Sequence, residues 1–203
     1  IEERDWSSDV CSSDLVDVIS WDNYPFWHKR KDEVPSAVKA AANHNIMRAL
    51  KRQPFLLMES TPSAVSWREY NPLKRPGMNM LAGMQAIAHG SDSVLYFQWR
   101  KGRGGYEKFH GAVLDHKNGT NTRVFREVTE LGERLAGLGE KIQGTVNRPK
   151  AAILFDWENW WAVEDTQGPR LDIKYVKTIL SHYRAFWERS EERRVGKECR
   201  SRW

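Results

Sequence analysis

Short apolar runs alternate with longer stretches in which apolar residues recur every three or four positions, and this alternation sets the order of elements along the chain. Val16-Asp-Val-Ile-Ser-Trp21 alternates apolar and polar and breaks at Asp22-Asn-Tyr-Pro25, which predicts a strand and then a turn. Ser36 is placed to cap a helix running to about Arg52, with Val38, Ala41, Ala42, Ile46, Ala49 and Leu50 on one face. After the Pro54 breaker, Phe55 to Met58 is an uninterrupted apolar run of the kind a buried strand needs, and it ends in Glu59. A polar loop follows through Asn71. Pro76 suits the first turn of a second helix, with Met80, Leu81, Met84, Ile87 and Ala88 facing inward and Gly90 as its stop. Ser93 to Phe97 predicts a third strand that runs into Gln98-Trp-Arg100. Beyond a glycine- and charge-rich loop, Lys101 to Asn121, the longest helix carries Phe125, Val128, Leu131, Leu135, Leu138 and Ile142 at helical spacing. Strand and helix alternate three times, which predicts an α/β fold of parallel strands with helices outside. Three units cannot close a barrel of eight, so the expectation is the C-terminal part of a (β/α)8 TIM barrel.

The pattern restarts after Asn147-Arg-Pro-Lys150. A strand is expected over Ala151 to Phe155, a tryptophan-rich loop over Asp156 to Gly168, and an amphipathic helix over Leu171 to Trp187 with Ile173, Val176, Leu180, Tyr183 and Trp187 on its apolar face. Turn residues between Gly144 and Lys150 mark a linker, so residues 16–147 and 148–188 are expected to be separate domains. The two ends have a different character. Asp5 to Leu15 and Arg189 to Trp203 lack apolar periodicity and resemble the translated arms of a short-read sequencing adapter. Residues 1–15 and 189–203 are therefore expected to be foreign to the fold.

Setting the ends aside changes the composition. Both cysteines, Cys11 and Cys199, fall in them, which removes a disulfide framework or a cysteine zinc site from the remaining 16–188. The ends also hold seven of the 32 basic and eight of the 27 acidic residues, leaving a net charge of +6. These charges are dispersed without a dense basic run, so nucleic acid is not an expected partner. No apolar stretch is long enough to cross a bilayer.

The candidate chemistry sits at the strand ends. Glu59 closes an all-apolar strand, a costly place for a carboxylate unless something pairs or uses it. By itself it reads either as a hydrated residue before a turn or as a group working where parallel barrels carry their chemistry. The three ends, Trp21-Asp-Asn-Tyr24, Met58-Glu-Ser60 and Gln98-Trp-Arg100, mix aromatic rings with amides and carboxylates. That mixture suits a sugar, whose C–H faces stack on rings while its hydroxyls need polar partners. Glu107 and His110 in the last loop offer such partners, or are surface residues, and Trp99 is expected to plug the barrel. His110 has no second His or Cys at ligand spacing, so no metal is expected. Lys101-Gly-Arg-Gly-Gly105 is too short for a phosphate loop.

DVISWDNYP, FLLMESTPSAVSW and GSDSVLYFQWRKGRGGYEKFHGAVLDH together resemble glycoside hydrolase family 42, the β-galactosidases. AAILFDWENWWAV resembles the start of that family's trimerisation domain. The resemblance covers nearly all of Val16 to Glu188. It implies a (β/α)8 barrel followed by a second, flavodoxin-like α/β domain, and hydrolysis of terminal β-galactosides with retention. It makes Glu59 the nucleophile, Tyr24 its supporting tyrosine, and Trp67, Glu107 and His110 substrate-binding residues. It also implies a cofactor-free homotrimer in the bacterial cytoplasm. Retention needs two carboxyl groups roughly 5–5.5 Å apart. The family's acid/base Glu follows an Asn, and no such Asn-Glu pair occurs in 16–188; Glu158-Asn159 has the reverse order. This chain alone is thus expected not to turn over. An α-L-arabinopyranosidase and a noncatalytic sugar-binding barrel are the competing expectations.

Overall fold

The computed structural model describes residues 16–25, 30–146, 149, 151–165, 167–168, 170 and 172–192. Segment 1–15 and most of 189–203, expected to be foreign, lie outside the described residues. The chain divides into two compact units, Ile1–Thr145 and Val146–Trp203; the linker pattern puts the boundary at 147/148.

In the first unit three strands form one parallel sheet in the order β1 (Ser20–Asp22), β2 (Phe55–Glu59), β3 (Ser91–Val94). Helix α1 (Arg30–Lys51) joins β1 to β2, α2 (Met78–Ala88) joins β2 to β3, and α3 (Arg123–Ile142) follows. The α/β alternation read from the sequence is therefore the architecture of this unit. β2 is central, with Phe55 and Leu57 buried, because it alone is paired on both sides.

Element boundaries depart from expectation in physically instructive ways. β1 begins at Ser20 rather than Val16, and Val16 and Val18 are exposed: alternation alone does not supply a partner for their backbone. α1 starts at Arg30, so Ser36 is not its cap, and Pro35 lies within the helix. A proline this early removes one backbone bond without ending the helix. β3 begins two residues early because pairing with β2 starts there: Phe55 N donates to Gly90 O at 3.3 Å, Phe55 and Ser91 are in register, and the Ser91 hydroxyl accepts from Leu57 N at 3.1 Å. Pairing then persists beyond Val94, where Leu95 N donates to Leu57 O at 3.1 Å.

The inward face of α2 is also rotated from the expected one. Asn79, Gly83 and Ala86 are buried, whereas Leu81 is exposed. Small residues win this face because α3 comes close: a Cβ on Gly83 would stand 2.5 Å from Leu131 Cδ2, and Leu131 is the buried residue of α3. The start of α3 is set by Thr122, whose hydroxyl accepts from Phe125 N at 3.1 Å.

The second unit contains α4 (Trp157–Glu164) and α5 (Tyr175–Glu192). The expected strand Ala151–Phe155 is not formed, and Leu154 is 89% exposed. A strand needs a neighbour to take its backbone bonds, and none is present among the described residues. The expected loop 156–168 is largely helical instead. Asp156 caps it by accepting from Asn159 N at 2.9 Å, with Glu158 in the first turn. α5 begins at Tyr175, not Leu171, and runs past Trp187 into the segment expected to be foreign.

Candidate active site

Glu59 ends β2, the central strand, and its backbone carbonyl accepts from Asn23 N at 2.9 Å across the β1 ladder. That bond carries the turn after β1 to the same end of the sheet. It delivers the Tyr24 phenol to the carboxylate, where Tyr24 Oη donates to Glu59 Oε2 at 2.6 Å. Burial, then the hydrogen bond and the charge of Glu59, push the phenol far above its ordinary range, with smaller contributions from Asp22 and Glu107. Tyr24 is thus a donor at every pH the protein meets. Its own carbonyl accepts from the Arg68 guanidinium, so both ends of the residue are held. Asp22, in register with Glu59 on the neighbouring strand, has its carboxyl raised by burial and then by the Glu59 charge.

The loop after Glu59 is held carbonyl by carbonyl. Ser60 O accepts from Phe97 N at 2.9 Å, Thr61 O from Lys74 Nζ at 2.6 Å, and Pro62 O from Asn79 Nδ2 at 2.6 Å. Ser63 O accepts from Lys74 N at 2.9 Å, and Ala64 O from Gly111 N at 2.7 Å and Thr61 Oγ1 at 2.9 Å. From Glu59 through Ala64 no backbone acceptor is left over, the condition for a polar loop to be buried. Ser60, Thr61 and Ser63 are indeed buried.

That loop presents Trp67, and the last loop of the unit presents His110. The Trp67 ring packs edge-on to Tyr24 at 4.8 Å between centroids and stacks on His110 at 5.3 Å. Phe97 makes a T-shaped contact with His110 at 5.0 Å. His110 is fully buried and its Nδ1 lies 2.8 Å from Gly111 O, an atom that only accepts. Nδ1 therefore carries the proton in the neutral ring, which leaves Nε2 as an acceptor. Nε2 is buried with no partner among the described residues. A buried acceptor without a partner beside an aromatic wall is suited to a ligand hydroxyl. Trp67 is 55% exposed, so the wall is open on one side.

Tyr24, Glu59, Trp67 and His110 are thus brought together. Glu107 is exposed; its carbonyl accepts from His110 N at 2.9 Å, and its charge acts on the Tyr24 phenol. Trp99, expected as a barrel plug, is instead 63% exposed. Sequence reasoning missed Arg68, Phe97, Lys74 and Asn79. Arg68 and Lys74 stand in a polar loop where a basic side chain carries no sign of burial, and Phe97 reads as ordinary strand core. Among the described residues, no three His, Cys, Asp or Glu side chains gather in a metal-holding group, and no helix is long and apolar enough to cross a membrane.

The chain is similar to named proteins. The chain fits a family profile described as β-galactosidase over residues 6–138 and one described as β-galactosidase trimerisation domain over residues 149–195. It is 53% identical over 175 residues to the β-galactosidase BglY of Alicyclobacillus acidocaldarius, covering 86% of this chain and 25% of that protein. It is 55% identical over 175 residues to the β-galactosidase GanA of Bacillus subtilis, covering 85% and 26%. Among solved structures, a catalytic mutant of Gan42B, a β-galactosidase from G. stearothermophilus, matches with a TM-score of 0.83 at 53% identity, over 88% of this chain and 26% of that one. The chain spans about a quarter of the length of the relatives it matches. It belongs to glycoside hydrolase family 42.

Proposed function

We propose that this chain is the nucleophile-bearing part of a retaining β-galactosidase, built on the last strands of a (β/α)8 barrel. The observation that carries the reading is the 2.6 Å bond from Tyr24 to Glu59, set beside the Trp67–His110 wall with its unpartnered Nε2. Tyr24 occupies one carboxylate oxygen and fixes the rotamer, leaving the other free to attack. In the first step that oxygen bonds to the anomeric carbon as the glycosidic C–O bond breaks, and the departing oxygen takes a proton from the acid/base. In the second, water gives a proton back to that group, attacks the same carbon and displaces Glu59, restoring the original configuration. Trp67 stacks on the C–H face of galactose, His110 Nε2 accepts from one hydroxyl, and Glu107 accepts from another. The acid/base is assigned to a part of the protein outside this chain.

The match to the trimerisation profile supports a homotrimer assembled through the second unit, a flavodoxin-like α/β domain when complete. A bacterial cytoplasmic enzyme acting without a cofactor completes the reading. The test is Glu59→Gln in the full-length protein. It keeps the shape and removes the nucleophile, so hydrolysis of nitrophenyl β-galactoside falls by about three orders of magnitude or more, while galactose still binds. Near-normal turnover in that variant, or faster cleavage of an α-L-arabinopyranoside by the wild type, overturns the reading.

A further inference from the structure

The Ser60–Ala64 loop lies between Glu59 and Trp67, and two of its carbonyls are held by side chains rather than by backbone, one from Lys74 in the loop before α2 and one from Asn79 in its first turn. Lys74 is 2% exposed, and its ammonium donates to Thr61 O at 2.6 Å and Asn79 Oδ1 at 3.2 Å. Asn79, equally buried, donates to Pro62 O at 2.6 Å and Glu127 Oε2 at 3.2 Å. Glu127, on α3, pairs with Arg123 at 2.7 Å, and Arg123 donates back to Lys74 O at 2.9 Å. The chain of bonds closes on itself, linking two helices to the loop behind the strand-end carboxylate.

We propose that Lys74, Asn79 and Glu127 form a positioning cluster for Glu59, fixing the loop on which its reactive geometry depends. The inference rests on the reading of Glu59 as nucleophile. Satisfying a buried carbonyl needs a donor but not a charge, and a buried ammonium is expensive to hold. Burial does pull the Lys74 ammonium down, to about 7, against the opposing pull of Glu127. What an apolar residue cannot supply is a directed bond to Thr61 O, two residues from the nucleophile. Asn79 supplies the next one, to Pro62 O. Attack at an anomeric carbon tolerates little drift: misplacement of a reacting group by 1 Å costs on the order of a hundredfold.

The experiment measures, in the full-length protein, how fast Glu59 is labelled by 2-deoxy-2-fluoro-β-galactosyl fluoride, which transfers its sugar to the carboxylate and releases fluoride. Lys74→Met keeps the length of the side chain and removes its donors. In the folded variant the saturating labelling rate and kcat both fall by about ten- to a hundredfold, while KM and the half-saturating inactivator concentration stay within about twofold. A structural role alone lowers Tm and leaves the labelling rate of the folded protein unchanged, and that result overturns the proposal. Should Lys74→Met not fold, Glu127→Gln decides. It is predicted to slow labelling with KM unchanged, and labelling at the wild-type rate overturns the proposal. If Glu59→Gln itself keeps turnover, it is the nucleophile reading that fails; an inactive Glu59→Gln beside a normally labelled Lys74→Met sinks the positioning role alone.

Discussion

Tyr24 and Glu59 depend on each other through one short bond, and each is brought to it by a different strand. A hydrogen bond to a charged group contributes about 1.5–3 kcal/mol, so Tyr24→Phe is expected to lower kcat/KM on a nitrophenyl galactoside by about ten- to a hundredfold. Equal rates in the two proteins would show that the phenol is packing only. A second residue acts through protonation. His44 is buried in a T-shaped contact with Trp21 at 5.0 Å and a stack on Phe55 at 5.3 Å, and Nδ1 has no partner among the described residues. Burial, then the neighbouring His89, lowers its pKa to about 3. As pH falls below the ordinary value of 6.5, the unfolded chain takes up a proton here that the folded chain refuses until about pH 3. His44 therefore makes the protein less stable with falling pH across that window, by at most about 1.4 kcal/mol per pH unit, and has no such effect above it. His44→Phe keeps the stack on Phe55 and removes the proton, so its Tm should fall less steeply than the wild type's between pH 6.5 and 3. Parallel acid limbs would assign the sensitivity to other groups.

At the scale of elements, what the sequence makes legible is whatever depends on local pattern. β2 was readable because a breaker, an apolar run and a carboxylate occur in succession, and α3 because six apolar residues keep helical spacing. Glu59 and Tyr24 could be singled out for the same reason, as polar groups at the ends of such runs. What depends on a neighbour was not legible. The face of α2 is decided by the approach of Leu131 to Gly83, which hydropathy cannot register, and Ala151–Phe155 stays unpaired however apolar it is. Lys74 illustrates the same limit within the site: its burial follows from two carbonyls thirteen and twelve residues earlier, one of which it bonds and the other of which Asn79 bonds. The contact between the two site loops is of this kind too. Gly111 N donates to Ala64 O, and a Cβ on Gly111 would stand 2.1 Å from Ser63 Oγ and 2.7 Å from Ala64 N. Backbone cannot yield as a side-chain tip does, so Gly111→Ala must push the His110 loop away from the Trp67 loop. Overpacking of this sort costs about 1–3 kcal/mol; a lower Tm together with a raised KM for galactosides is expected. An unchanged KM would mean that the two loops bind sugar independently.

For the molecule as a whole, the open sheet is the governing feature. The described strands number three and run parallel, so β1 and β3 each present an edge whose N–H and C=O groups look for a partner. Parallel sheets occur almost only where other elements cover both faces. In the second unit Ala151–Phe155 is apolar, largely exposed and part of no strand, which adds a third segment able to pair with another chain. Exposed edges of this kind template association between chains. The net charge of +5 on 203 residues opposes it only weakly, being spread over both signs. Expressed alone, the 203-residue chain is therefore expected to elute from a sizing column ahead of its monomer position, in a concentration-dependent way, and to melt over a broad range. A lysine placed on an edge is a known deterrent, so Ser20→Lys or Asp92→Lys should shift the distribution toward monomer. The full-length protein, if its remaining strands close the barrel, should show neither the drift nor the response to these substitutions. A sharp, cooperative melt of a monomeric 203-residue chain would instead mean that these three strands are complete as a sheet, and the placement of this segment inside a larger barrel would have to be given up.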